Sequence, residues 1–182
     1  MRITPNRDRE MGMNVRRVVT GHTPEGKAVI ASDAAVEPFT FGDGGAYHVL
    51  WGADAPARFP DDGMSPAWSA PFPPVGGHRF LLMTIPPGGA QDSGGDALAE
   101  QLASSLGDVM ETDQPGMHKT ATIDYEVVLA GKVGLELDDG AEVLLGPGDV
   151  VVQNGTRHRW HNRGSEPATM AVIVIGAHHS AV

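Results

Sequence analysis

Residues 116–131 read GMHKTATIDYEVVLAG and residues 155–162 read GTRHRWHN, and these two stretches decide how the rest of the chain is read. Between them, short runs of β-prone residues alternate with turns at Ala130-Gly131, residues 138–140 (DDG), residues 146–148 (GPG) and Asn154-Gly155. Short strands closely spaced by such turns are the pattern of an antiparallel barrel or sandwich. Strands are expected near 117–122, 125–129, 133–137, 142–145, 150–153, 157–162 and 169–175. No repeat of solenoid or propeller length interrupts them.

In a strand, residues two apart share a face. His118, Thr120, Thr122 and Asp124 therefore lie on one side if their strand runs without a bulge. His158, Trp160 and Asn162 share one side of another. If both sides line the interior, two imidazoles and one carboxylate converge. A transition metal accepts that set and keeps open positions for water or substrate. Each histidine alone reads better as a satisfied structural residue, and it is their pairing with Asp124 that favours a metal; a metal-free His–Asp pair could serve as a general base. Glu126 has the parity of Asp124 but is read as lying beyond the strand's twist. His161 has the opposite parity to His158 and is expected to face away. Of the remaining histidines, His22, His48, His178 and His179 have no spacing relation to the pattern, whereas His78, like Gln153, could supply a further ligand if it lies at an inward end of its strand.

Upstream, 15–19 and 28–31 form an expected hairpin around the turn 21–26. Residues 45–51 are β-prone, with Tyr47, Val49 and Trp51 predicted on one face. The stretch 53–77 is dense in Pro, Gly and Asp and reads as a long loop, either a lid or a linker. Residues 79–85 make a strand. Asp96 caps the one helix signal, in which Leu98, Leu102 and Leu106 form a single apolar stripe before Gly107. The expected organisation is a flexible arm over 1–14, a β extension with its loop over 15–77, a barrel over 78–176 and a tail over 177–182.

Composition narrows the function. The chain has 182 residues and a net charge of −10, which disfavours a phosphate backbone as partner, so no nucleic acid is expected. It has no cysteine, which excludes disulfides and thiolate chemistry and fits a cytoplasmic address. No apolar run is long enough for a membrane span, and residues 1–15 lack the pattern of a signal peptide.

The two opening stretches together resemble the cupin superfamily. Its first motif runs His-x-His, three or four residues, Glu, six residues, Gly; here stand His118-Lys119-Thr120, three residues, Asp124, six residues, Gly131. Its second runs Gly-Asp, a short stretch, Pro-x-Gly, two residues, His, three residues, Asn; here stand Gly148-Asp149, Gln153-Asn154-Gly155, His158 and Asn162. Thr120 replaces an imidazole, Asp124 a glutamate and Gln153 a proline. The resemblance implies an all-β, cupin-type double-stranded β-helix barrel (jelly roll) with one short helix and an N-terminal β extension. It implies one divalent transition metal (Fe, Zn, Mn, Ni or Cu) held by His118, Asp124 and His158. Thr120, Gln153 and Trp160 would line the substrate site. The implied function is transformation of a small organic, aromatic or polyketide-type molecule by oxygenase, isomerase, decarboxylase or dehydratase/cyclase chemistry, in a homodimer. The alternative is a metal-free cupin that binds a small ligand as sensor, carrier or non-metal lyase. A purely structural subunit with a filled interior is a third reading.

Overall fold

The computed structural model describes residues 13–41, 44–64, 68, 70–88, 111, 114 and 116–180. These residues are all-β: β1 (Val15–His22), β2 (Ala28–Val36), β3 (Phe39–Phe41), β4 (Gly45–Ala53), β5 (His78–Ile85), β6 (Thr122–Ala130), β7 (Val133–Glu136), β8 (Glu142–Leu145), β9 (Val150–Gln153), β10 (Arg159–His161) and β11 (Ala168–Gly176). A 3-10 turn at Asp138–Gly140 joins β7 to β8. The helix expected over 96–106 lies outside the described residues.

One sheet has the order β3-β4-β5-β11-β6-β9 and a second has β10-β7-β8, while β1 and β2 form a separate hairpin. Every strand pair is antiparallel. The register sets one inner row across the large sheet. Val49 pairs with Leu81, Leu81 with Val172, Val172 with Glu126 and Glu126 with Val151. One step along the strands, Arg79 pairs with Val174, Val174 with Asp124 and Asp124 with Gln153. Because side chains alternate across a sheet, these rows face the same side.

The apolar end of that face packs against the small sheet. Val128, Val133, Leu135, Leu145, Met170 and Val172 form its buried centre, with Trp160 against them. Burying each such side chain is worth about 1.5–3 kcal/mol. At the other end Asp124 and Glu126 replace apolar residues in the same rows, and the core gives way to a cavity. The motif's glycine and asparagine hold turns here. Gly131 has φ +72, and a Cβ on it would lie 2.5 Å from Pro167 O. Buried Asn162 donates to Ile85 O (2.9 Å) and Glu166 O (2.8 Å) and accepts from Gly164 N (3.0 Å), tying β10 to the start of β11.

Two expectations need correction. The strand predicted over 117–122 is only a bridge at His118, and β6 begins at Thr122. The backbone of His118 pairs with His158 instead of continuing the β6 ladder. Trp51 does not share the face of Tyr47 and Val49. The register between β4 and β5 shifts between Val49 and Trp51, so Trp51 pairs with Phe80 and joins Leu50 on an outer groove. Such a bulge places two residues against one and reverses the alternation.

The expected hairpin is present and longer than predicted. The loop after β4 folds back over the inner cavity. Val75 bridges Gly176, Gly176 N donates to Gly77 O (3.0 Å), and a Cβ on Gly176 would lie 1.9 Å from Pro74 O. Only a residue without a side chain lets the loop cross the end of β11 so closely. Trp68, Pro71 and Phe72 are thereby carried onto the cavity wall.

Candidate functional site

His118 and His158 are mounted as an opposed antiparallel pair. His118 N donates to His158 O and His158 N to His118 O, both at 2.9 Å. Residues that exchange both bonds point their side chains the same way, and the rings stand 4.3 Å apart between centroids. Each ring is oriented by the carbonyl two residues earlier: His118 Nδ1 lies 3.0 Å from Gly116 O, and His158 Nδ1 lies 2.9 Å from Thr156 O. A carbonyl only accepts, so the proton sits on Nδ1 and the Nε2 lone pair is left for a ligand. Burial holds both imidazoles below the ordinary histidine pKa. His158 falls to about 4, through desolvation and then the neighbouring His118. Both are neutral near pH 7, as metal ligation requires.

Asp124 and Glu126 follow on β6, two residues apart on the inner face. They are 8% and 3% exposed, and Asp124 Oδ1 and Glu126 Oε2 have no hydrogen-bond partner among the described residues. Desolvation pushes Asp124 up to about 6, partly offset by the Thr122 hydroxyl. Desolvation and the Asp124 charge push Glu126 up to about 8. Buried carboxylate oxygens without partners are costly, and a bound cation is one arrangement that satisfies them.

These four residues share the wall of one cavity of about 120 Å³ with Trp68, Phe72 and Trp160. Its wall is otherwise mostly apolar, the usual form of a small-molecule site. The larger outer groove, about 970 Å³ beside Leu50, Trp51, Phe59 and Phe80, contains none of these four.

His118, Asp124, His158 and Trp160 thus reach the cavity, whereas Thr120 and Gln153 are buried outside its wall. Thr120 Oγ1 is bonded to Thr122 Oγ1 at 2.7 Å. Gln153 shares the row of Asp124, but its Nε2 donates to Thr156 O at 3.1 Å, the same carbonyl that orients His158. Gln153 therefore positions a histidine and does not present its amide to the cavity. Glu126 is the residue the sequence reading set aside. Its parity with Asp124 was the available signal, and the unbroken pairing of Glu126 with Val172 and Val151 keeps it on the inner face.

The donor types fit a divalent transition metal: two imidazoles with free Nε2 atoms and two carboxylates with unpartnered oxygens. The ligand atoms of His118, Asp124 and His158 are not all within 4.8 Å of one another, so a shared ion would require these side chains to draw together. Among the described residues, Glu136, Glu142 and His161 do meet that distance. Their carboxylates are already partnered: Glu136 pairs with Arg159 and is hydrogen-bonded to His161, and Glu142 pairs with Arg163.

The Cupin domain family matches residues 109–175, the span of both histidines and both carboxylates. The chain is 50% identical over 56 residues to a phomopsin biosynthesis cluster protein C' of Diaporthe leptostromiformis, covering 31% of this chain and 30% of that protein. It is 45% identical over 61 residues to an oryzines biosynthesis cluster protein J of Aspergillus oryzae, covering 34% of each. It is 36% identical over 62 residues to the cupin-domain-containing oxidoreductase fogC of Aspergillus ruber, covering 32% and 30%. The chain spans about a third of the length of the curated relatives it matches. A Cupin 2 conserved barrel domain protein from Salinispora arenicola is a structural neighbour. It has TM-score 0.42 and 17% identity over 76% of this chain and 82% of that one.

Proposed function

We propose that the chain is a member of the cupin superfamily, as the match over residues 109–175 supports, and a metal-dependent cupin enzyme that transforms a small organic molecule inside the inner cavity. The observation that carries this reading is the pairing of His118 and His158, with both Nε2 atoms free, opposite two buried carboxylates with unpartnered oxygens. His118, Asp124 and His158 are the proposed ligands, and Glu126 offers a fourth donor in a chain that has Thr120 where the family motif has its second imidazole. A divalent transition metal supplies Lewis acidity or a redox centre at the substrate. Similarity to proteins named as cupin-domain oxidoreductases supports an oxidative reaction over an isomerisation or a lyase reaction.

The chain's own residues supply orientation and exclusion of water. Trp160 meets the His158 ring edge-on, with centroids 6.2 Å apart, and fixes one wall. Trp68, Pro71 and Phe72 close another. Purified, reconstituted protein should carry about one metal per chain, and His158→Ala should lose both metal and activity. Full activity in metal-free protein would overturn the reading.

Thr120 in place of the second motif imidazole favours the metal-free ligand-binding reading. That reading predicts ligand-induced thermal stabilisation unaffected by chelators. The homodimer remains a proposal, supported by the outer sheet face. Trp51, Phe80, Ile173, Tyr125 and Val152 form a paired row there, and the last four are 38–51% exposed. Sedimentation should give twice the chain mass, and removal of residues 1–32 should abolish the dimer.

A further inference from the structure

We propose that Glu126 sets the charge selectivity of the cavity, making it a site for uncharged, ring-bearing molecules and closing it to carboxylates and other organic anions. This deepens the metal-enzyme reading and rests on it for the charge count below.

The first support is an inventory of cations. Among the described residues, Arg79 is the one basic side chain other than the imidazoles on the cavity wall. It is 1% exposed. A guanidinium has five N–H donors, and all five are spent. Nε donates to Ala70 O (3.2 Å). Nη1 donates to Ala53 O (2.9 Å) and His78 O (2.8 Å). Nη2 donates to Asp54 Oδ1 and Ala70 O, both at 2.6 Å. Its flat face is covered by the Trp68 ring at 4.9 Å. Arg79 holds the loop over the cavity and keeps no donor for a substrate carboxylate.

The second support is the acid count. The motif read from the sequence asks for one carboxylate at this site, and the cavity has two, both more than nine-tenths buried and each with an unpartnered oxygen. A divalent cation beside one carboxylate and neutral imidazoles leaves a net positive charge that attracts an anion. Beside two carboxylates the sum is zero. An anion entering the neutral site loses its hydration with no opposite charge to offset it, and that cost is large in a desolvated cavity. A neutral ligand escapes this cost. It gains contact with Trp68, Phe72 and Trp160 and can donate a hydrogen bond to a free carboxylate oxygen.

Benzamide and benzoate have nearly the same shape and differ in charge, so they are the test pair. Calorimetric titration of each into the reconstituted full chain, with metal content measured on the same sample, should show benzamide bound at least ~10-fold more tightly than benzoate. Glu126→Gln removes the charge and nearly preserves the shape. It should shift the ratio at least ~10-fold toward benzoate, whereas Glu126→Asp should stay close to the wild-type ratio. Equal or tighter binding of benzoate by the wild type would overturn the proposal even if neither variant folds. So would an unchanged ratio in folded Glu126→Gln, or no binding of benzamide. A chain that takes up no metal sinks the metal reading and, with it, the charge count; a metal-loaded chain without the benzamide preference sinks the selectivity alone.

Discussion

Glu126 and His158 carry opposite burdens in the metal-free protein, and pH separates them. Glu126 is raised from 4.5 to about 8, so the folded state holds its proton longer than the unfolded chain does. Its contribution to stability is therefore full below about 4.5 and falls as pH rises to about 8. His158 is lowered to about 4, so its contribution rises with pH up to about 6.5 and is flat above. The window between about 6.5 and 8 is left to Glu126. Denaturant unfolding of chelated protein across it should show a loss on the order of 1 kcal/mol, absent in Glu126→Gln. Gln153→Ala should weaken metal binding about 10- to 100-fold, read by titration with cobalt, because it releases the turn that aims His158. Both histidines and Asp124 were legible through their spacing. Gln153 was not, because a sequence does not say which of two partners in reach an inward amide takes. Glu126 was misread because twist was expected to carry it away, whereas the β6 register stays regular until a shift between Thr169 and Met170 on β11, beyond the pairing partners of both carboxylates.

The loop between β4 and β5 is the element whose role the sequence left open between lid and linker. Its Pro and Gly content announced a long irregular segment, but its course depends on three remote anchors. Gly176 admits Pro74, Gly21 packs against Asp62 and Gly63, and Arg79 collects Ala53, Asp54 and Ala70. Gly176→Val should push Pro74 off β11 and cost about 1–3 kcal/mol as an overpacking change. Trp68 should then become more accessible to acrylamide quenching, with the β-sheet circular dichroism retained. Arg79→Leu removes an ion-pair partner of Asp54 and the guanidinium donors to Ala53 O, Ala70 O and His78 O. It should cost about 2 kcal/mol or more and hasten protease cleavage within 54–77. Strand positions were more legible, since alternation and turn residues are local. The Trp51 bulge was not, because the unpaired Leu50 shows only in the register with β5, which local alternation does not reveal.

At the scale of the whole molecule, two sheets share one interior that is apolar at one end and polar at the other. The all-β class and the cupin fold followed from turn spacing and the paired motifs, which are dense between residues 116 and 162. The gap between the sheets is set by long-range packing, so neither the cavity's contents nor the groove under the hairpin could be read in advance. Among the described residues no helix is long and apolar enough to cross a membrane.

The two opposed histidines are forty positions apart along the chain, and two reciprocal backbone bonds bring them together. An ion held by both would act as a cross-link. Closing a loop of that length costs a free chain about 3 kcal/mol in entropy, and a native site that exists only in register has already met that cost. Partly folded chains, with the β7–β8 arm unseated, would hold an ion poorly. Bound metal would therefore count correctly assembled molecules, and its release during unfolding should coincide with the loss of the small sheet rather than with the fraying of the N-terminal hairpin.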